Sequence, residues 1–134
     1  MDTPGSGGYI GKSIPRANAK RLLQGRGTYT DDVRLPRLAH VVFFRSPHAH
    51  ARIGKLDFGR AKEMPGVIAV VDGRTLAPFC KPWVAVLGHL KGIKSPPQHA
   101  IAIDRACWQG EAVAAVVAET RAQAEDAAER IEAE

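Results

Sequence analysis

A chain of 134 residues with 45% hydrophobic and 25% charged residues has the size and composition of one globular domain. That excludes disorder throughout, and no run approaches the roughly 18 apolar residues of a membrane helix. The formal charge of +5 is uneven: residues 1–118 hold 17 Lys/Arg against 8 Asp/Glu, while residues 119–134 hold 2 against 6. The basic residues are scattered, with Lys20-Arg21 the one adjacent pair, so the clustered footprint of a nucleic-acid-binding face is missing. Met1-Asp2-Thr3-Pro4-Gly5 has no basic-then-apolar leader pattern, and a cytoplasmic setting is expected. Cys80 and Cys107 make neither a metal pair nor a disulfide framework, so reduced thiols are expected.

Residues 1–9 are rich in Gly, Ser and Pro and read as a flexible tail, leaving 10–134 as one domain. Ala17 to Gln24 reads as one or two helical turns that Gly25 stops. Asp31-Asp32 reads as turn chemistry, because no series of oxygen ligands follows that would hold a hard cation. Leu38 to Arg45 has the β-branched and aromatic content of a strand and ends at Ser46-Pro47. Ala51 to Leu56 alternates weakly as a second strand. Asp57 can then cap a short helix over Phe58–Met64, broken by Pro65-Gly66. Val67 to Val71 is a continuous apolar run, hence a buried strand. Strand, short helix and strand suggest a small right-handed βαβ crossover.

Gly73 to Leu76 reads as a helical turn. Residues 73–99 then form a long excursion in which Phe79, Trp83 and Leu87 lie among proline and glycine breakers. So apolar a loop is expected to pack on something, and these three residues are the candidate interface. A strand is expected over Gln98–Ile103 and a second, buried one over Ala112–Ala118. Thr120 with Gln123 forms a capping box. The helix expected over 121–133 places Ala124, Ala127, Ala128 and Ile131 on one face, with Glu125, Asp126, Glu129 and Glu132 opposite. It reaches the last residue without a glycine or proline stop, as a chain that continues would. The fold class expected is α+β: a mixed sheet, a short helix after Asp57 and a C-terminal amphipathic helix.

No catalytic constellation is visible. His48-Ala49-His50 puts two imidazoles on one side of an extended chain, which suits a metal, but a site needs three or four ligands. His48 and His50 are therefore the weak metal candidates, and one packed and one wet histidine is the simpler reading. Glu111 and Asp104 flank the Trp108 turn without a nucleophile, and Cys107 reads as a packed thiol. Gly25-Arg26-Gly27 lacks the strand and long helix of a phosphate loop. The residues alone point to a binding or assembly module. The alternatives are a stand-alone basic module for nucleic acid, on the charge of 1–118, and a small histidine metal-binding protein.

Several strings then stand in order: Ile10-Gly11-Lys12 and Pro15-Arg16; Gly25-Arg26-Gly27-Thr28-Tyr29-Thr30-Asp31-Asp32; Leu35-Pro36; Arg45-Ser46-Pro47-His48-Ala49-His50-Ala51-Arg52-Ile53; Ala61 with Pro65-Gly66-Val67; and Gly110-Glu111 through Glu119. Together they resemble the a/b hammerhead domain of the molybdenum hydroxylase large subunit, the family of xanthine dehydrogenase, aldehyde oxidase and aerobic carbon monoxide dehydrogenase. The resemblance runs from Ile10 to Glu134, with Trp108 where tyrosine is usual and Ala112 where proline is common. It implies a parent oxidoreductase that hydroxylates an aldehyde, a heteroaromatic or a related small molecule at a molybdenum–pterin centre. It further implies iron–sulfur and FAD groups in partner subunits or domains, and a downstream molybdenum-binding domain as the nearest partner. The family's catalytic and cofactor-binding residues lie in those other domains, so none is carried onto this sequence. The domain by itself is expected to be inactive.

Overall fold

The structure is a computed structural model and describes residues 8–85 and 89–134. The chain divides into two compact units, residues 1–35 and 36–134.

In the first unit, helix α1 (Ala19–Leu23) ends before Gly25, whose φ of +69° supplies the left-handed stop that the sequence called for. A 3₁₀ turn follows at Thr30–Asp32, where the Tyr29 amide donates to the Asp32 carboxylate at 2.9 Å. Asp32 thus does the turn chemistry expected of the pair, while Asp31 contributes its backbone carbonyl, which accepts from Arg34. No described residue of this unit is buried.

The second unit is built around a three-stranded antiparallel sheet. Its strands are β1 (His40–Arg45), β4 (Val67–Asp72) and, between them, β6 (Ala112–Ala118). The central strand is apolar along its length because it has a neighbour on each side and side chains on two faces to accommodate. Two short antiparallel ladders flank this sheet. One pairs β2 (Ala51–Arg52) with β5 (Arg105–Ala106), and the other pairs β3 (Leu56–Asp57) with β7 (Glu132–Ala133). Two four-residue helices, α2 (Gly59–Lys62) and α3 (Gly73–Leu76), bracket β4, and α4 (Arg121–Ala128) follows β6.

The core lies between one sheet face and α4. Ala124, Ala127, Ala128 and Ile131 meet Ala61, Val70, Ala114, Val116 and Ala118, with Val42, Phe44, Phe58 and Met64 packed at the margin. Alanines on both sides let the helix approach the sheet closely. The capping box starts α4: the Gln123 amide donates to Thr120 Oγ1 at 3.3 Å, and the Thr120 amide donates to Gln123 Oε1 at 3.0 Å.

Four expectations are corrected. The strand expected over 51–56 is broken after Arg52, and its two ends, β2 and β3, pair in separate ladders. The C-terminal helix ends at Ala128 rather than 133. Arg130 and Ile131 donate to Ala127 and Ala128 in tighter i→i−3 bonds, and the backbone then joins the ladder with β3. Ile131 still reaches the core, so the apolar spacing fitted a helix although the backbone had changed partners. The βαβ crossover is absent, and every ladder among the described residues is antiparallel, so the sheet is not mixed. Only α2 joins β3 to β4, and a parallel return needs a connection of about a dozen residues or more. Finally, 98–103 is not a strand. Ile101 and Ala102 are buried, but their carbonyls abut Gly73, where an added Cβ would lie 2.3 Å from the Ala102 oxygen. The Ala102 amide donates to the Ala112 carbonyl at 2.8 Å and Gln98 bridges to Trp83, but these single contacts do not extend into a ladder, and the pairing begins at Arg105 instead.

Candidate functional site

The Arg45–Ile53 string closes on the 107–111 turn through a hydrogen-bonded clamp. The Ser46 amide donates to the Glu111 carbonyl at 2.9 Å, and the Gly110 amide donates to the Ser46 carbonyl at 2.8 Å. Arg45 Nη1 donates to the Gly110 carbonyl at 2.8 Å. Buried Ser46 turns the chain locally, its Oγ accepting from the His48 amide at 3.1 Å. The Glu111 side chain is buried and accepts from the Cys107 amide. Asp104 is engaged by Arg74 at 3.0 Å. Each of the two acids around Trp108 thus has its own partner. Cys107 is exposed, as is Cys80, which corrects the packed thiol: the buried group in this turn is the carboxylate.

His48 and His50 are exposed and line different concavities. His48 borders a cleft with Phe44, Ser46 and Ile53, closed on its far side by Ile131 and Ala133. His50 borders a shallow depression with Ala51, Arg52 and Arg105. Among the described residues no three His, Cys, Asp or Glu side chains converge where they could hold a metal. Nor does either concavity offer a donor set that fits a molybdenum–pterin group.

The excursion after α3 begins with a cap. The Asp72 carboxylate accepts from the Thr75 amide at 2.8 Å and from its hydroxyl at 2.6 Å. Partial burial pushes the Asp72 pKa upward, but the Thr75 bonds outweigh it and hold the carboxyl below its usual value. At Asp57 the Gly59 amide does the same, with Lys55 3.7 Å away adding to it. Further on, Trp83 and Gln98 exchange both backbone hydrogen bonds, at 2.7 and 2.8 Å, an isolated antiparallel bridge across the excursion, here called the strap. Phe79 is 83% exposed and Trp83 61% exposed, with Val84, Leu90 and Ile93 also exposed. Leu87, the third expected interface residue, lies outside the described residues.

Sequence reading missed two surfaces. The face of the sheet away from α4 carries Val41, Phe43, Val71 and Val117, and Val41 and Phe43 remain exposed. The signal was present, since β1 is apolar at both odd and even positions. The other is Arg52 opposite Arg105, which only the register discloses.

No helix among the described residues is long and apolar enough to cross a membrane. The family profile described as "Aldehyde oxidase and xanthine dehydrogenase, a/b hammerhead domain" matches residues 24–134. The chain is 38% identical, over 122 residues, to the large subunit of nicotine 6-hydroxylase from Paenarthrobacter nicotinovorans, covering 91% of this chain and 15% of that one. Quinoline 2-oxidoreductase from Pseudomonas putida 86 superposes with a TM-score of 0.85 at 41% identity, over 95% of this chain and 16% of that one. The Cu,Mo-CO dehydrogenase superposes with a TM-score of 0.77 at 36% identity, over 92% and 15%. The chain thus spans about 15% of the length of the relatives it matches.

Proposed function

Since the chain belongs to the aldehyde oxidase and xanthine dehydrogenase a/b hammerhead family, we propose that it is the assembly domain of a molybdenum hydroxylase large subunit, with residues 10–134 forming the domain. Its parent would hydroxylate an aldehyde, a heteroaromatic or a related small molecule. The molybdenum–pterin centre would sit in a downstream domain of the same or a partner chain, and the iron–sulfur and flavin groups in partner subunits. The work of this chain is then packing and placement in the cytoplasm, where the two free thiols would stay reduced.

One observation carries this reading: Phe79 and Trp83 stand exposed on backbone that is hydrogen-bonded in place, Phe79 to Leu76 and Trp83 to Gln98. Large aromatics presented to solvent on a fixed backbone are the usual anchors of a protein interface. Hydrogen exchange on the 134-residue chain and on a full-length large subunit carrying it tests the reading. Amides of the strap 77–98 beyond those already hydrogen-bonded at Ala77, Phe79, Cys80, Trp83 and Gln98 should gain protection in the large subunit, and equal exchange in both would overturn the reading.

A further inference from the structure

In the β2–β5 ladder Arg52 stands directly opposite Arg105. Directly opposed residues of an antiparallel pair project to the same side, and here that side is solvent, because the partner positions Ala51 and Ala106 turn inward. Two like charges so placed oppose the ladder that carries them. No salt bridge among the described residues relieves either guanidinium. The nearby acids are already engaged, Asp104 by Arg74 and Glu111 by the Cys107 amide. His50 lines the same depression as both arginines. Trp108, 44% exposed, lines the adjoining hollow with Arg105.

We propose that Arg52 and Arg105, flanked by His50 and Trp108, form a docking point for a carboxylate-bearing segment of a partner protein chain. Guanidinium forks match carboxylates two bonds at a time, and a bound carboxylate between the two arginines removes their mutual repulsion. The depression is shallow and open, which suits a side chain on a protein surface. Arginine beside an exposed tryptophan is interface chemistry. The proposal deepens the assembly reading but uses a different surface from the aromatic strap, so its failure leaves the exchange experiment on 77–98 untouched.

The test uses the 134-residue chain with an oligoglutamate peptide as the acidic probe and inorganic phosphate as the small-anion control. Side-chain Nε–H resonances of Arg52 and Arg105 report binding. Arg52→Gln with Arg105→Gln should weaken peptide binding about tenfold, whereas the charge-matched Lys20→Gln with Arg26→Gln, outside both this depression and the strap, should change it less than twofold. Arg105→Gln alone should also raise Tm by about 1–4 °C, since it removes an opposed like charge. Peptide binding that ignores the double substitution, or that falls equally in the control, overturns the proposal. So does phosphate binding as tightly as the peptide, no binding of either, or a Tm that falls with Arg105→Gln.

Discussion

On one face of the sheet of β1, β6 and β4, Val42, Phe44, Val70 and Val116 meet the alanines of α4. On the other, Val41 stands 51% and Phe43 42% exposed, with the Arg45 guanidinium 5.3 Å over the Phe43 ring. Both faces come from the same strands with the same apolar alternation. Their difference lies in what the described elements of residues 36–134 supply: one short capped helix, packed on one face. Together with Phe79 and Trp83 on the strap, the outer face leaves several large apolar side chains exposed among the described residues. That exposed apolar surface fits a domain that is one part of a larger assembly.

Substitution separates the faces most sharply at the helix–sheet contact. Ala127→Leu adds bulk where nothing can yield and should cost about 1–3 kcal/mol in urea unfolding. Phe43→Thr, on the outer face of β1, should stay within about 0.5 kcal/mol, as surface changes do. If Phe43→Thr costs as much as Ala127→Leu, the outer face is covered by its own chain and the distinction falls.

A second comparison runs along β4, from its sealed middle to Asp72, where the sheet hands over to the open strap. Asp72→Ala removes the cap of α3 and should cost about 1 kcal/mol at neutral pH. The folded-state pKa of Asp72 lies below its unfolded value of 3.8, so its contribution is present above that value. The contribution then fades as pH falls through the lower folded value. The stability gap between the natural chain and Asp72→Ala should therefore hold from about pH 7 to 5 and narrow below about pH 4. A gap unchanged at pH 3 would mean that the ionised carboxylate is not what caps the turn.

Much of this architecture is legible in the sequence where local chemistry and tertiary packing agree. The Thr120–Gln123 box, the stop at Gly25 and the uniform apolarity of Ala112–Ala118 each specify one backbone conformation, and each forms. Legibility fails where the backbone chooses among partners that residue types do not distinguish. Ile131 suits a helical position or the approach to a strand equally well, and the ladder with Leu56–Asp57 decides between them. The buried carbonyls of Ile101 and Ala102 against Gly73 are a close approach that no periodicity announces. For the candidate site, the string around His48-Ala49-His50 identifies the family, while the charge pairing of Arg52 with Arg105 depends on register alone. A strand two residues long carries too little pattern to fix a register in advance.

The smallest effect is expected at the entry to β1, where both faces begin. Arg37 follows Pro36 in the turn before this strand and has a φ of +59°, the left-handed region in which a Cβ crowds the carbonyl. Glycine relieves that crowding, worth about 1–2 kcal/mol, but gives back about 0.5–1 kcal/mol through its freer unfolded chain. Arg37→Gly should therefore gain roughly 0.5 kcal/mol in urea unfolding. Arg37→Ala keeps the Cβ and should gain nothing, which separates a backbone effect from the loss of one positive charge. Because Arg37 is no part of the core cluster that holds Ala127, the gain should add to the cost of Ala127→Leu within about 0.5 kcal/mol. A gain with alanine as large as with glycine would place the effect in charge, and failed additivity would tie this turn to the packing of the covered face.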